Sequence, residues 1–359
     1  MSLPPLVFFG AFDRHNLGDL LFPHLLAESH PGREILFAGL ADRDMTCFGG
    51  HRVVSVDALG RAWAGPRADL LHVGGEILDC DAWTAAVMLC EAGAAAEVVS
   101  RLDRDGAART AWAAERLGTD VPAPYVLDKS RLPWCRWVGF HAVGGVDLGR
   151  RPAALGRHVS AALAAADRVG VRDSATRHEL LRLGVGAKLE PDAAMVPGPS
   201  VRRRIEHARA AGEAAAVAQS FPHSYLAVQF SSDFGDDRSL DCLASGLRRR
   251  AAGRGVVFLR AGAAPWHDEE EPYARLGARL GQAWRLFASL DVWQLAAVIA
   301  GAAGFIGSSL HGAMLARQFR VPQVALERSA GEGRKLRAWV ADWAPGVPVL
   351  DPGEFARQS

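Results

Sequence analysis

The chain consists of short, fully apolar segments that alternate with longer segments of helical periodicity. Leu6 to Phe9, Trp137 to Ala142 and Gly255 to Arg260 are three of the apolar segments, and glycines or a polar loop follow each of them. A strand that is apolar on both faces is typical of a parallel sheet with helices on both sides. The alternation therefore predicts an α/β fold with doubly wound parallel sheets.

A chain of 359 residues is longer than one ordinary domain, and its composition changes between Pro197 and His223. Prolines, an arginine-rich segment and an alanine-rich segment occur there, whereas strand and helix patterns alternate on both sides. We therefore expect two Rossmann-type domains that face each other across a cleft. The predicted ranges are an N-terminal domain (1–198), a linker (199–223), a C-terminal domain (224–330), and a C-terminal helix and tail (331–359).

The overall composition predicts a soluble protein without a strong net field. Apolar residues make up 49% and charged residues 23%, and the formal net charge is +1. The arginine triplets at residues 202–204 and 248–250 are typical of solvated helix faces, so we expect no nucleic-acid partner. No apolar segment is long enough to cross a bilayer, and the N-terminus lacks the basic region of a signal peptide. We expect a cytoplasmic protein without a transmembrane segment, which could form a homo-oligomer.

The five cysteines are widely spaced and include no CxxC pair. An odd number of dispersed cysteines argues against a disulfide framework and against a zinc site. We therefore expect reduced thiols and no metal site.

The segment from Gly304 to Leu326 shows the pattern of a strand, a sharp turn, a helix and a second strand. The turn contains Ser308 and Ser309, and the helix is predicted from Leu310 to Phe319. The first N–H groups of a helix have no partner within it and the helix dipole is positive there, so an anion is favoured. His311 lies in the first turn and could contact that anion. A plain helix cap with a surface histidine fits the same residues.

Other polar residues and glycines follow predicted strands in the N-terminal half. Because α/β sheets bind ligands at the carboxyl ends of their strands, these residues are candidates for a ligand site. Asp19 could equally be a helix cap, and Arg172 could either contact a ligand or brace its own turn by pairing with Asp173. The candidates are His15, Asn16, Gly18, Asp19, Gly74, Gly75, Glu76, His141, Arg172 and Asp192.

Taken together, these motifs resemble the polysaccharide pyruvyl transferase family along nearly the whole chain. Each motif is weak alone, and their order and spacing carry the resemblance. The matching segments, in chain order, are 16–19 (NLGD), 73–75 (VGG), 166–173 (ADRVGVRD), 180–184 (LLRLG), 191–194 (PDAA), 310–312 (LHG), Ala316, 321–322 (VP) and Lys335.

The resemblance implies a GT-B-like fold, with two Rossmann-type domains and the active site between them. It also implies phosphoenolpyruvate as the donor and co-substrate, with no further cofactor. The acceptor would be a pair of hydroxyls on a sugar or glycan, and the product a pyruvate ketal. The donor anion would lie on the C-terminal domain and the acceptor on the N-terminal domain.

One position departs from the family pattern. The family usually has an arginine immediately before Leu-His, and here that residue is Ser309. A guanidinium binds a phosphate or a carboxylate through two hydrogen bonds, whereas serine supplies only a hydroxyl. Either another cation replaces it, with Arg317, Arg172 and Lys335 as the candidates, or the donor has changed.

Transfer from phosphoenolpyruvate needs an acid for the enol carbon, a base for the attacking hydroxyl, and hydrogen-bond donors for the phosphate. We predict His311 as the acid, because imidazole titrates near neutrality, and Asp19 as the base or acceptor ligand. The predicted donor set adds the backbone of Ser308 and Ser309, with Gly312, Arg172, Arg317 and Lys335. The predicted acceptor or cleft set is His15, Asn16, Gly18, Gly74, Gly75, Glu76, His141 and Asp192.

Two other functions fit the same sequence. A GT-B-type glycosyltransferase with a nucleotide-sugar donor would use the same two-domain frame. A non-catalytic binding protein derived from the family would explain the serine at position 309.

Overall fold

Two separate parallel sheets, one in each half of the chain, form the framework of the protein. The computed structural model describes residues 3–328 and 334–358. The chain divides into two units, Met1–Ala193 and Ala194–Ser359. The first unit therefore ends five residues before the predicted boundary at 198.

The first unit alternates strands and helices as the sequence predicts. Its strands are β1 (Leu6–Phe9), β2 (Ile35–Gly39), β3 (Arg43–Asp44), β4 (Arg52–Ser55), β5 (Ala68–Val73), β6 (Cys135–Val143), β7 (Arg168–Val171) and β8 (Lys188–Leu189). Its helices are α1 (Leu17–Ala27), α2 (Val56–Ala62), α3 (Ala82–Met88), α4 (Ala92–Leu102), α5 (Gly106–Leu117), α6 (Ala153–Ala164) and α7 (Ser174–Arg182). The strand order within the described residues is β3-β4-β2-β1-β5-β6-β7-β8. All neighbours are parallel except β3 and β4.

The core of the first unit explains why its strands are fully apolar. Val7 and Phe9 of β1 and Phe140 of β6 point to one face and pack in a single core with Leu155 and Val159 of α6. The apolar residues of α6 recur at helical spacing, so one side of the helix covers the sheet. Residues on the opposite face of β1 are also buried. A strand buried on both sides cannot show the alternation of a half-exposed strand.

The second unit repeats this architecture. Its strands are β9 (Tyr225–Gln229), β10 (Gly255–Phe258), β11 (Trp284–Leu286), β12 (Gly304–Gly307), β13 (Gln323–Leu326) and β14 (Val349–Leu350). Its helices are α8 (Pro199–Arg209), α9 (Gly212–Ser220), α10 (Asp237–Ala251), α11 (Glu270–Leu280), α12 (Val292–Gly301), α13 (Leu310–Gln318), α14 (Arg334–Trp343) and α15 (Pro352–Arg357). In the described part of this unit the order is β11-β10-β9-β12-β13-β14, with parallel neighbours. The predicted last helix was expected to begin at Glu332, which lies outside the described residues.

The predicted linker at 199–223 is wrong, because these residues form α8 and α9 of the second unit. Val201 and Ile205 are buried on one side of α8. The side chain of Gln294 accepts from the Ala214 N–H at 2.9 Å and donates to the Ala208 carbonyl at 3.2 Å, which fastens both helices to α12. α8 has few apolar residues and several exposed arginines, so its buried side was not evident from the sequence.

The C-terminal tail is also part of the second unit. β14 extends the sheet beside β13. Phe355 of α15 is fully buried in the same core as Leu240 and Leu243 of α10. Residues 334–358 therefore complete this domain.

Two further properties concern the described residues as a whole. In residues 3–328 and 334–358 no helix combines the length and apolar character needed to cross a membrane. Within the same ranges, no three His, Cys, Asp or Glu side chains gather as metal ligands would.

A buried histidine in β5 predicts an acid-sensitive fold. The His72 ring stacks on Phe140 at 3.8 Å between centroids, its Nδ1 donates to the Gly139 carbonyl at 3.1 Å, and its Nε2 accepts from the Leu127 N–H at 3.1 Å. Burial lowers the pKa of His72 to about 3. The unfolded chain binds a proton near pH 6.5 that the folded chain does not bind, so stability is full above that pH and falls toward pH 3.

We expect His72→Gln to reduce the pH dependence of stability by about 1.4 kcal/mol per pH unit between pH 6 and 4. Urea unfolding at several pH values measures the slope. The surface variant His178→Gln, on α7, should keep the wild-type slope. Equal slopes for His72→Gln and the wild type would show that His72 is not the group responsible.

Candidate functional site

The second unit has a topological switch point between β9 and β12. The chain leaves β9 toward β10 on one side and reaches β12 on the other, which opens a crevice at the carboxyl ends of these two strands. The Ser308 N–H donates to the Gln229 carbonyl at 3.2 Å. The Ser231 N–H donates to the Ser308 hydroxyl at 3.2 Å. The turn predicted to bind an anion therefore lies at the position where α/β sheets bind ligands.

The start of α13 is more fully hydrogen-bonded than the sequence predicts. Ser309 is the N-cap, and its hydroxyl accepts from the Gly312 N–H at 3.1 Å. The Ser309 N–H donates to Gln229 Oε1 at 2.7 Å. The backbone N–H groups of Ser308 and Ser309 thus both donate to Gln229, which corrects the prediction that they bind an anion. The Ser308 hydroxyl and the His311 imidazole are the remaining predicted anion ligands of this turn.

His311 and Gly312 occupy the first turn of α13, as predicted. His311 is 9% exposed. A Cβ at position 312 would lie 2.5 Å from Phe305 Cζ, and one at position 307 would lie 2.7 Å from the same atom. The two glycines therefore let the helix start approach the Phe305 ring, and a donor contact by Gly312 stays a prediction.

Arg317 lies at the opposite end of α13 from the position of the missing family arginine, and its donor role stays a prediction. It lies in the last turn of that helix and is exposed, eight residues after Ser309. At 1.5 Å per residue, about 12 Å of helix separates the two positions. Lys335 is exposed in the first turn of α14, and its donor role stays a prediction.

In the first unit, the first turn of α1 places Asp19 beside Gly75, in the glycine pair that follows β5. Asn16, rather than Asp19, is the N-cap of α1, since its side chain accepts from the Gly18 N–H at 3.1 Å. Asp19 is 7% exposed, and its Oδ1 would lie 3.4 Å from a Cβ at Gly75. Gly75 has φ 84°, a conformation that favours glycine. The structure thus brings together Asp19 and Gly75, two candidates from distant segments of the sequence.

Arg14 is a further candidate for the site, which the sequence pattern did not single out. Its Nη2 lies 3.9 Å from Asp19 Oδ2, and its Nη1 donates to the Tyr125 hydroxyl at 3.0 Å. That hydroxyl donates to Asp13 Oδ1 at 3.0 Å, and burial raises the pKa of Asp13. The position of Arg14 directly before His15 and Asn16 was the only signal, because Tyr125 is 111 residues away.

Arg172 is enclosed by what we call the carboxylate cluster, formed by Glu76, Asp173 and Asp192. Arg172 is 2% exposed and pairs with Glu76, with Asp192 Oδ2 at 3.6 Å from its Nη1, and with Asp173 Oδ2 at 4.0 Å from its Nε. A Cβ at Gly144 would lie 2.7 Å from Arg172 Nε, so this glycine admits the guanidinium. These contacts are those expected if Arg172 braces its own turn. A contact between Arg172 and the donor stays a prediction.

The acidic character of this edge continues at Asp79. Its Oδ2 accepts from the Asp147 N–H at 2.9 Å. Burial, and then the neighbouring Glu76 carboxylate, raise the pKa of Asp79 to about 8. Arg172 thus pairs with the three members of the carboxylate cluster, whereas Arg151 is the cation that acts on Asp79.

His141 and His15, two other candidates, contact residues outside the carboxylate cluster. His141 Nδ1 lies 3.1 Å from Glu190 Oε2, and burial lowers the pKa of His141. Its side chain lines a cavity of about 320 Å³ on the sheet face, together with Trp137 and Arg168. His15 packs edge-on against Phe48, with 5.1 Å between ring centroids.

Comparison with known proteins decides the family. The family model for polysaccharide pyruvyl transferases matches residues 150–329, which is half of the chain. The chain belongs to the polysaccharide pyruvyl transferase family. The matched range includes Arg172, Asp192 and the segment 308–312, whereas Asp19 and Glu76 precede it. A search among curated proteins gave no match.

Similar solved structures identify the fold of this pyruvyl transferase family member. UDP-GlcNAc 2-epimerase from Methanocaldococcus jannaschii has a TM-score of 0.52 at 10% identity, covering 98% of this chain and 97% of that one. The enzyme from Neisseria meningitidis has a TM-score of 0.52 at 11% identity, covering 99% and 89%. The enzyme from Rickettsia bellii has a TM-score of 0.50 at 10% identity, covering 98% and 84%. At these identities the similarity shows the fold alone, and it confirms the GT-B-like class of the pyruvyl transferase family member.

Proposed function

We propose that the protein is a pyruvyl transferase that moves the pyruvate unit of phosphoenolpyruvate onto two hydroxyls of a sugar or glycan, forming a ketal. The family match over residues 150–329 carries this proposal, because it includes the capped turn at Ser308–Gly312. No cofactor beyond the co-substrate is needed. We place the reaction in the cytoplasm.

The reaction balances as an addition followed by a substitution at the same carbon. The first hydroxyl adds to the carbon that bears the phosphate while the enol CH₂ gains a proton and becomes CH₃. The second hydroxyl then displaces the phosphate, which leaves with its electron pair and takes up that hydroxyl's proton. The protein must therefore supply an acid for carbon, a base for oxygen, and hydrogen bonds to the departing phosphate.

The residues of the capped turn suit the donor half of this chemistry. The start of α13 carries the positive end of a helix dipole, and the Ser308 hydroxyl lies there. His311 is the proposed acid, since imidazole is the side chain that exchanges protons most readily near neutral pH. Asp19, beside Arg14 and Gly75, is the proposed base or ligand of the acceptor hydroxyl.

Phosphate release tests the proposal directly. We expect phosphate to be released from phosphoenolpyruvate in the presence of one member of a panel of sugars, glycans and nucleotide sugars. The acceptor should gain the mass of a pyruvate ketal. We also expect phosphoenolpyruvate alone to raise the melting temperature.

Two other results would contradict the proposal in different ways. A thermal shift with UDP or UDP-GlcNAc but none with phosphoenolpyruvate would favour a nucleotide-sugar enzyme, the ligand class named for the epimerase from Neisseria meningitidis. Binding of phosphoenolpyruvate without turnover of any acceptor would favour a non-catalytic binding protein.

A further inference from the structure

Gln229 accepts hydrogen bonds from the turn at Ser308 and Ser309, which the sequence predicted to bind an anion. It is the last residue of β9 and is 3% exposed. Its backbone carbonyl accepts from the Ser308 N–H, and its Oε1 accepts from the Ser309 N–H at 2.7 Å. One residue therefore fixes both successive N–H groups of the turn.

Asp268 fixes the side chain of Gln229 in turn. Gln229 Nε2 donates to both carboxylate oxygens of Asp268, each at 2.9 Å. Asp268 is 7% exposed and also accepts from the Ala261 N–H at 2.6 Å and the Gly262 N–H at 3.4 Å. All of these partners are N–H groups, so they require a carboxylate that only accepts.

The chemistry of these groups selects one orientation of the Gln229 amide. With the amide reversed, its oxygen would face the Asp268 carboxylate and its NH₂ would face the Ser309 N–H. Both contacts would then be repulsive, and the Ser309 N–H would be buried without an acceptor. The charge on Asp268 thus decides whether the Ser309 N–H is bound, although the two residues do not touch.

The absence of a side chain at Gly307 leaves room for Gln229 beside the turn. A Cβ there would lie 2.8 Å from the Gln229 carbonyl oxygen and 3.1 Å from Gln229 Oε1. Any other residue at position 307 would push the glutamine away from the turn. Ser309 meanwhile uses both its N–H and its hydroxyl to hold the turn.

We propose that Gln229 and Asp268 are positioning residues, and that Asp268 acts through Gln229 to keep Ser308 and His311 directed at the phosphate of the donor. The role in donor binding rests on the proposed function. The hydrogen-bond relay from Asp268 to Ser309 can be tested without any ligand.

Asp268→Asn is the direct test, because it keeps the size of the side chain and removes the charge. The amide NH₂ that this variant introduces can donate to Gln229 Oε1, which turns the Gln229 amide over and releases the Ser309 N–H. Amide hydrogen exchange followed by mass spectrometry should then be at least about tenfold faster in a peptide covering 308–312. The dissociation constant for phosphoenolpyruvate should rise at least about tenfold. Because burial raises the pKa of Asp268 to about 7, the measurements belong at pH 8.

The double variant Gln229→Glu with Asp268→Asn is the matched rescue. The introduced carboxylate at position 229 can accept from both the Ser309 N–H and the introduced amide at position 268, so slow exchange in 308–312 should return. Asp241→Asn, on the exposed side of α10, should match the wild type in both measurements. The melting temperature of each variant shows that it is folded.

The outcomes separate this inference from the proposed function. Faster exchange and weaker binding in Asp268→Asn, with slow exchange restored in the double variant, support the positioning role. Unchanged exchange, or faster exchange with binding within twofold of the wild type, would overturn it. If the wild type does not bind phosphoenolpyruvate at all, the proposed function fails. In that case the exchange data alone test the relay from Asp268 to Ser309. Slow exchange in 308–312 of the double variant supports the relay, and fast exchange there overturns it.

Discussion

Replacing His311 with alanine should lower the turnover number for phosphate release by about 10² or more, the range expected for loss of a proton-transfer group. His311 lies in the first turn of α13, next to the capped residues of the switch point, and is largely buried. The expected loss follows from the role we propose for His311, which is to protonate the enol carbon. The measurement is the rate of phosphate release at saturating phosphoenolpyruvate and acceptor.

Two variants control this experiment. His311→Gln keeps a hydrogen-bonding side chain of similar size but cannot transfer a proton, so its turnover should be as low as that of the alanine variant. His178→Ala, exposed on α7, should retain wild-type turnover. Full activity in His311→Gln would remove proton transfer from the role of His311.

Replacing Arg172 with methionine should lower the free energy of unfolding by about 3–5 kcal/mol. The change keeps an unbranched side chain but leaves the carboxylate cluster without its buried cation. Breaking a buried ion pair from one side is costly because the remaining charges stay desolvated. Urea unfolding followed by circular dichroism measures the loss.

A surface ion pair is the matched control. Arg182→Met removes the partner of Glu179 at a position where the arginine side chain is 65% exposed, so it should cost less than about 1 kcal/mol. Adding Glu76→Gln to Arg172→Met should recover part of the loss by removing one of the uncompensated charges. A loss below about 1 kcal/mol in Arg172→Met alone, the level of a surface pair, would show that the cluster does not depend on this guanidinium.

The sequence predicted those features that depend on local pattern. β1 was expected from Leu6 to Phe9 and has those bounds. α13 begins at Leu310 as predicted and ends at Gln318, one residue before the predicted Phe319. Such elements are identified by an uninterrupted apolar run or by a cap, both of which lie within a few neighbouring residues.

Features that depend on distant partners could not be predicted in the same way. The backbone donors of Ser308 and Ser309 were identified correctly, but their acceptor is Gln229, about 80 residues earlier in the chain. The bracing of Arg172 depends on Glu76, 96 residues away, so the sequence left bracing and ligand contact equally open. Sequence pattern shows which groups need partners, and the sheet topology decides which partners they receive.

Phosphoenolpyruvate is proposed as the donor, bound at the start of α13. A crystal structure of the protein with phosphoenolpyruvate tests that claim directly. We predict density for the phosphate beside the Ser308 hydroxyl and His311, with Gln229 still bonded to the Ser309 N–H. Phosphoenolpyruvate bound elsewhere, or no density at a concentration that saturates turnover, would contradict the account.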